Sequence, residues 1–265
     1  MILMGFLLII PLISGWVAGW VVNYLADVLP LTRSLSQPVC LQCRSPYKLW
    51  HYLLFRPCPK GHSRNKRALI AQLVVTALTI FAWTSPPQRL GFTLGLLIIT
   101  YFSLVFVIDI EHRLILHVTS IFGVVLGILS GYLNHGVIPT LVGGATGLGI
   151  MLVFYYLGVL FTRIRARRMQ KAGQEADDEE ALGAGDVILV TILGFMLGWP
   201  LIWFGLLVGI LLGGLISFLI VIWLVAFGKY GKNAFMLFIP YGPYFIFSAF
   251  LMVFFPRWVA QLVPG

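Results

Sequence analysis

Long runs of apolar residues are the feature that most limits how this chain can fold. A helix that crosses the ~30 Å hydrocarbon core of a bilayer needs roughly 20 consecutive apolar residues, and several stretches reach that length. Charged residues make up 10% of the chain, whereas soluble domains carry about 25%. The sequence therefore predicts an all-α polytopic membrane protein of about eight transmembrane helices, at roughly 2–25, 68–84, 91–108, 114–133, 137–161, 186–199, 201–227 and 235–255.

Two polar inserts divide the apolar pattern into parts. Residues 1–25 form the predicted first transmembrane helix; they lack the basic start and the small-residue cleavage site of a signal peptide. Residues 26–67 form the first insert, and 68–265 the transmembrane core. The second insert, 163–182, lies within that core and passes from a basic to an acidic half. We also expect the glycines of the apolar helices to allow close packing, as at Gly143, Gly144, Gly147 and Gly149.

The positions of the lysines and arginines predict an orientation. With residues 26–67 in the cytoplasm and eight helices threaded in turn, all of the 18 basic residues except Arg89 and Arg257 fall on the cytoplasmic side. Such a bias predicts that both termini lie outside. It also accounts for the net charge of +9 without a nucleic-acid partner, because no basic stripe interleaved with aromatic residues lies outside the apolar stretches.

Two aspartates stand at the cytoplasmic ends of predicted helices. Asp109 closes the third helix and Asp186 opens the sixth, after Gly183 and Gly185. Ionisable groups at such positions are functional candidates, although an interfacial charge or a helix-capping Asp is the alternative. Peptide hydrolysis uses one carboxyl group as base and another as acid. Asp109 and Asp186 are therefore candidates for such an acid–base pair, and Gly183 and Gly185 would allow a close approach to the carboxylate.

The cysteines predict a metal site in the first insert. Cys40-x2-Cys43 and Cys58-x3-His62 have the ligand spacing of structural zinc sites, and His51 competes with His62 for the fourth position. Three cysteines in a cytoplasmic segment argue against disulfides. A zinc ion would give this short polar insert a fold that burial could not; unligated thiols in a flexible loop are the alternative.

Gly183-Ala184-Gly185-Asp186 resembles the GxGD signature of the type IV prepilin peptidases, and Asp109 resembles the other catalytic position of that family. Three further segments resemble family motifs in the same order: Gly19-x3-Asn23-x5-Leu29-Pro30, Cys40-x2-Cys43 and Pro240-Tyr241-Gly242-Pro243-Tyr244. Presenilin-like proteases share the GxGD element, but the insert and the order of the segments favour the prepilin peptidases.

The resemblance implies an aspartic endopeptidase of the cytoplasmic (inner) membrane, in contact with lipid. It would cleave the leader of type IV prepilin-like or pseudopilin-like precursors, which serve pili or type II secretion, at the cytoplasmic face. Members with the cysteine insert commonly also methylate the new N-terminus with S-adenosylmethionine, but Gln72 stands here where a Glu is usual, and Arg56-Pro57 precede Cys58 in place of Gly-Lys or Gly-Arg.

The chain also departs from the family pattern near both aspartates. Leu116-His117 replace the usual Pro-Asp or Pro-Asn, and Ile188 replaces a Lys two residues after Asp186. These departures leave two other functions open. One is a proton- or cation-coupled transporter that uses Asp109 and Asp186, which would place them near the bilayer midplane. The other is a non-catalytic membrane scaffold.

Overall fold

The computed structural model describes residues 2–64, 66–171, 183–227 and 240–256. Within these ranges the secondary structure is α-helical apart from one isolated bridge between Val39 and Pro46. The helices are α1 (Ile2–Thr32), α2 (Leu49–Leu53), α3 (Lys66–Thr84), α4 (Gly91–His112), α5 (His117–His135), α6 (Val137–Lys171), α7 (Ala184–Leu197), α8 (Leu201–Ala226) and α9 (Gly242–Phe254).

The described helices confirm an integral membrane protein. Six of them, α1, α3, α4, α5, α6 and α8, are long and apolar enough to cross a bilayer. The remaining two predicted spans, α7 and α9, are apolar but have 14 and 13 residues. At 1.5 Å per residue each covers about 20 Å, less than the ~30 Å hydrocarbon core. Part of the predicted last helix, residues 235–239, lies outside the described residues.

Helices α1 and α6 extend furthest beyond their predicted ends. Helix α1 continues from residue 25 to Thr32 and stops where Arg33 takes a left-handed conformation with φ 54°. The first part of the insert 26–67 is therefore the last two turns of α1. Helix α6 continues to Lys171 because Arg, Met, Gln and Lys are good helix formers and no glycine or proline intervenes. The acidic half of the insert 163–182, from 172 onward, lies outside the described residues.

The chain forms two compact units, Met1–Leu126 and Gly127–Gly265. In the first, α1, α3 and α4 pack against one another. Its core contains polar as well as apolar side chains, since Asn23, Gln72 and Thr79 are completely buried. Each of these is hydrogen-bonded, as a polar group removed from water must be.

The second unit is built around the close packing of α7 with α6 and α9. A Cβ atom at Gly147 would lie 2.8 Å from the carbonyl oxygen of Val190, and one at Gly194 would lie 2.5 Å from that of Gly143. The two backbones therefore approach each other where side chains are absent. This confirms the expectation for Gly143 and Gly147, whereas nothing lies within 4 Å of a Cβ atom at Gly149. As predicted, the chain breaks at Pro200, between α7 and α8.

Candidate active site and metal site

Asp109 lies in the last turn of α4, with its residue only 5% exposed. The helix ends three residues later, where Arg113 adopts a left-handed conformation and donates its N–H to the carbonyl of Asp109 at 2.9 Å. The C-terminal end of a helix dipole is negative and disfavours a carboxylate. Neither capping nor the dipole therefore explains an acid at this buried position, which supports a functional role.

Asp186 lies in the first turn of α7 and is half-buried. Its backbone N–H donates to the carbonyl of Gly183 at 3.1 Å, and Gly183 is the N-cap residue. A Cβ atom at Gly183 would lie 3.9 Å from Asp186 Oδ2, an ordinary contact distance. The carboxylate thus turns back over Gly183, and a methyl group there would touch it. The helix dipole favours an acid at this end, so position alone does not distinguish a structural from a catalytic Asp186.

The predicted metal ligands come together in the insert. The ligand atoms of Cys40, Cys43, Cys58 and His62 all lie within 4.8 Å of one another. Cys43 Sγ is 3.6 Å from Cys58 Sγ, and His62 Nδ1 is 3.5 Å from Cys58 Sγ and 4.0 Å from Cys40 Sγ. Tetrahedral zinc with bonds of about 2.1–2.3 Å needs ligand separations of about 3.6–3.8 Å. The cluster can therefore hold a metal ion such as zinc, and His51 is not part of it.

Two backbone turns present these ligands. In the first, the N–H of Cys40 donates to the carbonyl of Ser45 and the N–H of Arg44 to that of Cys40. In the second, the N–H of Cys58 donates to the carbonyl of His62 at 3.0 Å, and Gly61 takes a positive φ of 83°. A glycine accepts this conformation without strain. The second turn brings His62 back onto Cys58, which is why His62 and not His51 completes the set.

The protonation of the thiols differs across the cluster. Hydrogen bonds from the side chain and backbone of Ser45 lower the pKa of Cys43 to about 6, whereas burial raises the pKa of Cys58. Metals bind the thiolate and not the thiol. At neutral pH Cys43 is therefore more ready than Cys58 to bind a metal ion as the thiolate.

A polar network that the sequence did not reveal joins the insert 26–67 to α1 and to the end of α4. Asp27 accepts hydrogen bonds from Tyr52, Arg64 and Arg67, and Arg67 also contacts Asn23 and Glu111. Asp27 follows Asn23 by four residues and so shares its helix face. That spacing was the only sign of the network in the sequence, because its other members come from distant segments.

The buried amide of Gln72 occupies the position where the resemblance expects a Glu. Its Nε2 donates to the carbonyl of Trp16 at 2.7 Å, and its Oε1 accepts from Asn23 Nδ2 at 3.3 Å. These bonds hold α1 against α3. A side chain that is fully buried and used in this way is not available to contact S-adenosylmethionine.

Comparison with known proteins identifies one family. No curated protein and no solved structure gives a significant match. Residues 95–218, however, match the Type IV leader peptidase family. The matched segment contains Asp109 and the sequence Gly183-Ala184-Gly185-Asp186. The chain therefore carries a domain of the Type IV leader peptidase family over residues 95–218.

Proposed function

We propose that this protein is an aspartic endopeptidase that removes the leader peptide from type IV prepilin-like or pseudopilin-like precursors. The observation that carries the proposal is the family match, because it covers both aspartates and the GxGD sequence. Membership of a leader peptidase family implies aspartic peptidase activity and favours a prepilin-like substrate.

Asp109 and Asp186 are the proposed catalytic residues. One carboxylate takes a proton from the attacking water, and the other, protonated at the start, donates a proton to the leaving amine. After the amine departs, the two residues have exchanged protonation states, and the pair returns to its starting state by proton exchange with solvent. An amide can do neither task, so each aspartate is required.

The positions of the two aspartates at helix ends are consistent with peptide hydrolysis at the edge of the membrane. Asp109 lies in the last turn of α4 and Asp186 in the first turn of α7. A transporter that binds a cation within the bilayer would place its carboxylates near the middle of its helices. The positive-inside bias supports a cytoplasmic location for both helix ends, with the inserts 26–67 and 163–182 on the same side.

The metal site has a proposed structural role. Cys40, Cys43, Cys58 and His62 supply four protein ligands, which leaves no open coordination position for a substrate. When bound, zinc would cross-link the two turns of a segment that leaves large apolar side chains such as Leu35, Leu41 and Trp50 exposed. The ion is therefore assigned to the folding of the insert and not to peptide hydrolysis.

Co-expression with a candidate prepilin tests the function. The expected result is a shortened pilin whose new N-terminus, read by N-terminal sequencing, follows the basic leader. Asp178→Asn serves as a control, because it removes a carboxylate from the acidic half of the insert 163–182 and leaves the residues Asp109 and Asp186 unchanged in the sequence. A prepilin that stays full-length beside well-expressed wild-type protein would contradict the substrate assignment.

A further inference from the structure

We propose that Arg67 is a positioning residue for Asp109, and that Asp27 connects this contact to the metal-binding insert. The inference rests on the proposed function, because it takes Asp109 to be catalytic. It concerns a set of side chains that no part of the peptide-hydrolysis chemistry requires, all within the unit Met1–Leu126.

The guanidinium group of Arg67 is held by directed hydrogen bonds to Asn23, Asp27 and Glu111. Its Nε donates to Glu111 Oε1 at 2.9 Å, its Nη1 donates to Asn23 Oδ1 at 3.1 Å, and its Nη2 donates to Asp27 Oδ1. Arg67 lies in the first turn of α3, where the helix dipole opposes a cation. The negative carboxylates of Asp27 and Glu111 stabilise the positive guanidinium group of Arg67 against this unfavourable dipole. The planar fork of an arginine is suited to several directed bonds at once.

Glu111 links Arg67 to α4, the helix that contains Asp109. It lies two residues after Asp109, in the turn where α4 ends. An ion pair with an exposed partner contributes little to stability, so its importance here is geometric. Asn23 and Asp27 of α1 fix the position of the Arg67 guanidinium group. Glu111 therefore binds a cation whose position is already set. Holding Glu111 fixes the rotation of the turn that presents the Asp109 carboxylate.

Asp27 links Arg67 to Tyr52 and Arg64, which lie near the metal-binding turns of the insert. Its Oδ2 accepts from the hydroxyl of Tyr52 and from Arg64 Nη2 at 3.0 Å. Arg64 Nη1 also donates to the carbonyl of Tyr52 at 2.8 Å. The Arg64 guanidinium carbon lies 3.8 Å from the centroid of the Tyr52 ring, so the two groups stack. Burial raises the pKa of Tyr52, so its hydroxyl keeps the proton that it donates.

The insert and the catalytic turn thereby share one connected set of charges. Arg64 follows the metal ligand His62 by two residues, so a metal ion held by that turn would fix where Arg64 meets Asp27. The two guanidinium groups of Arg64 and Arg67 balance the carboxylates of Asp27 and Glu111. Removing one member leaves a partly buried opposite charge that is less completely compensated. A disturbance of the metal site is thus expected to reach the end of α4.

Cleavage kinetics of the purified, reconstituted full chain test the role of Arg67. Arg67→Gln and Glu111→Gln should each lower kcat about tenfold or more, with KM little changed, as for other residues that orient a reacting group. The double variant should be no slower than the worse single variant, because both remove the same contact. Lys66→Gln is the matched control: it removes a neighbouring exposed charge and should retain kcat within about twofold.

The conservative variant separates geometry from charge. Arg67→Lys keeps the positive charge but cannot reach Asn23, Asp27 and Glu111 together, so its kcat should remain low. Wild-type kcat in Arg67→Lys, or additive losses in the double variant, would overturn the proposal while leaving the endopeptidase assignment intact. If wild-type protein does not cleave, or if Asp109→Asn cleaves normally, the proposed function fails instead.

Hydrogen exchange gives a readout that does not depend on activity. In zinc-loaded wild-type protein, chelation should speed exchange in peptides that cover residues 106–116, and Arg67→Gln should do the same with zinc retained. In Asp27→Asn, where the connection is cut, exchange there should already be fast and chelation should add little. Unchanged exchange at the end of α4 after chelation, with the insert visibly loosened, would overturn the connection.

Discussion

The side chain of Gln72 lies directly against the backbone of Gly19, so that a Cβ atom at residue 19 would be 2.6 Å from Gln72 Nε2. Gln72 cannot move aside without breaking its bonds to Trp16 and Asn23. The Gly19-x3-Asn23 sequence therefore serves the packing of α1 against α3.

Gly19→Ala should destabilise the protein by about 1–3 kcal/mol, the usual cost of forcing a side chain into a packed interior. Thermal unfolding in detergent measures the effect, with Gly149→Ala as control, since nothing lies within 4 Å of a Cβ atom there. In a Gln72→Ala background the cost of Gly19→Ala should largely disappear. Equal melting temperatures for Gly19→Ala and the wild-type protein would show that Gln72 does not pack tightly against Gly19.

The metal site should contain one zinc ion per chain. Cys43→Ser and His62→Ala should each lose most of the metal, because three remaining ligands leave the tetrahedron incomplete. His51→Ala should retain it, since His51 is outside the ligand set. Elemental analysis of purified protein measures all three variants. Metal loss in His51→Ala together with retention in His62→Ala would reverse the assignment of the fourth ligand.

Zinc content should depend on pH in one direction. Cys43 has a pKa lowered to about 6, so its thiolate is present at neutral pH and is protonated as the pH falls through that value. Protons then compete with the metal for the ligands. Zinc should stay bound above about pH 6 and be released progressively below it, and it should rebind on neutralisation. Dialysis across this range followed by elemental analysis tests the direction; release on raising the pH would contradict it.

Reporter insertions test the orientation. A reporter placed after Ser34, or within residues 172–182, should be cytoplasmic, because these segments adjoin most of the lysines and arginines. A reporter in the connection between α3 and α4, near Arg89, should lie outside and serves as the opposite control. The reverse pattern at all three positions would invert the topology and move both aspartates to the outer face.

Apolar length and ligand spacing allowed much of this protein to be predicted. The long helices are evident because each is a run of residues that only a bilayer or a large core can accommodate, and the four metal ligands are evident because cysteine spacing reflects coordination geometry. Helix ends were less predictable: α1 continues through Pro30 and ends where Arg33 becomes left-handed, at a position that no glycine marks. The contacts of Arg67 with Asp27 and Glu111 join residues about 40 positions apart, and no local pattern indicates such pairs.

Asp109 and Asp186 are the residues proposed to perform the cleavage. The most direct test of this proposal is the cleavage of a prepilin by purified wild-type protein, Asp109→Asn and Asp186→Asn, each reconstituted at equal amount and checked for membrane insertion. Each Asp→Asn variant should lose cleavage completely, because an amide can neither accept the proton from water nor donate one to the leaving amine. Cleavage at the wild-type rate by either variant would remove that aspartate from the mechanism and contradict the account.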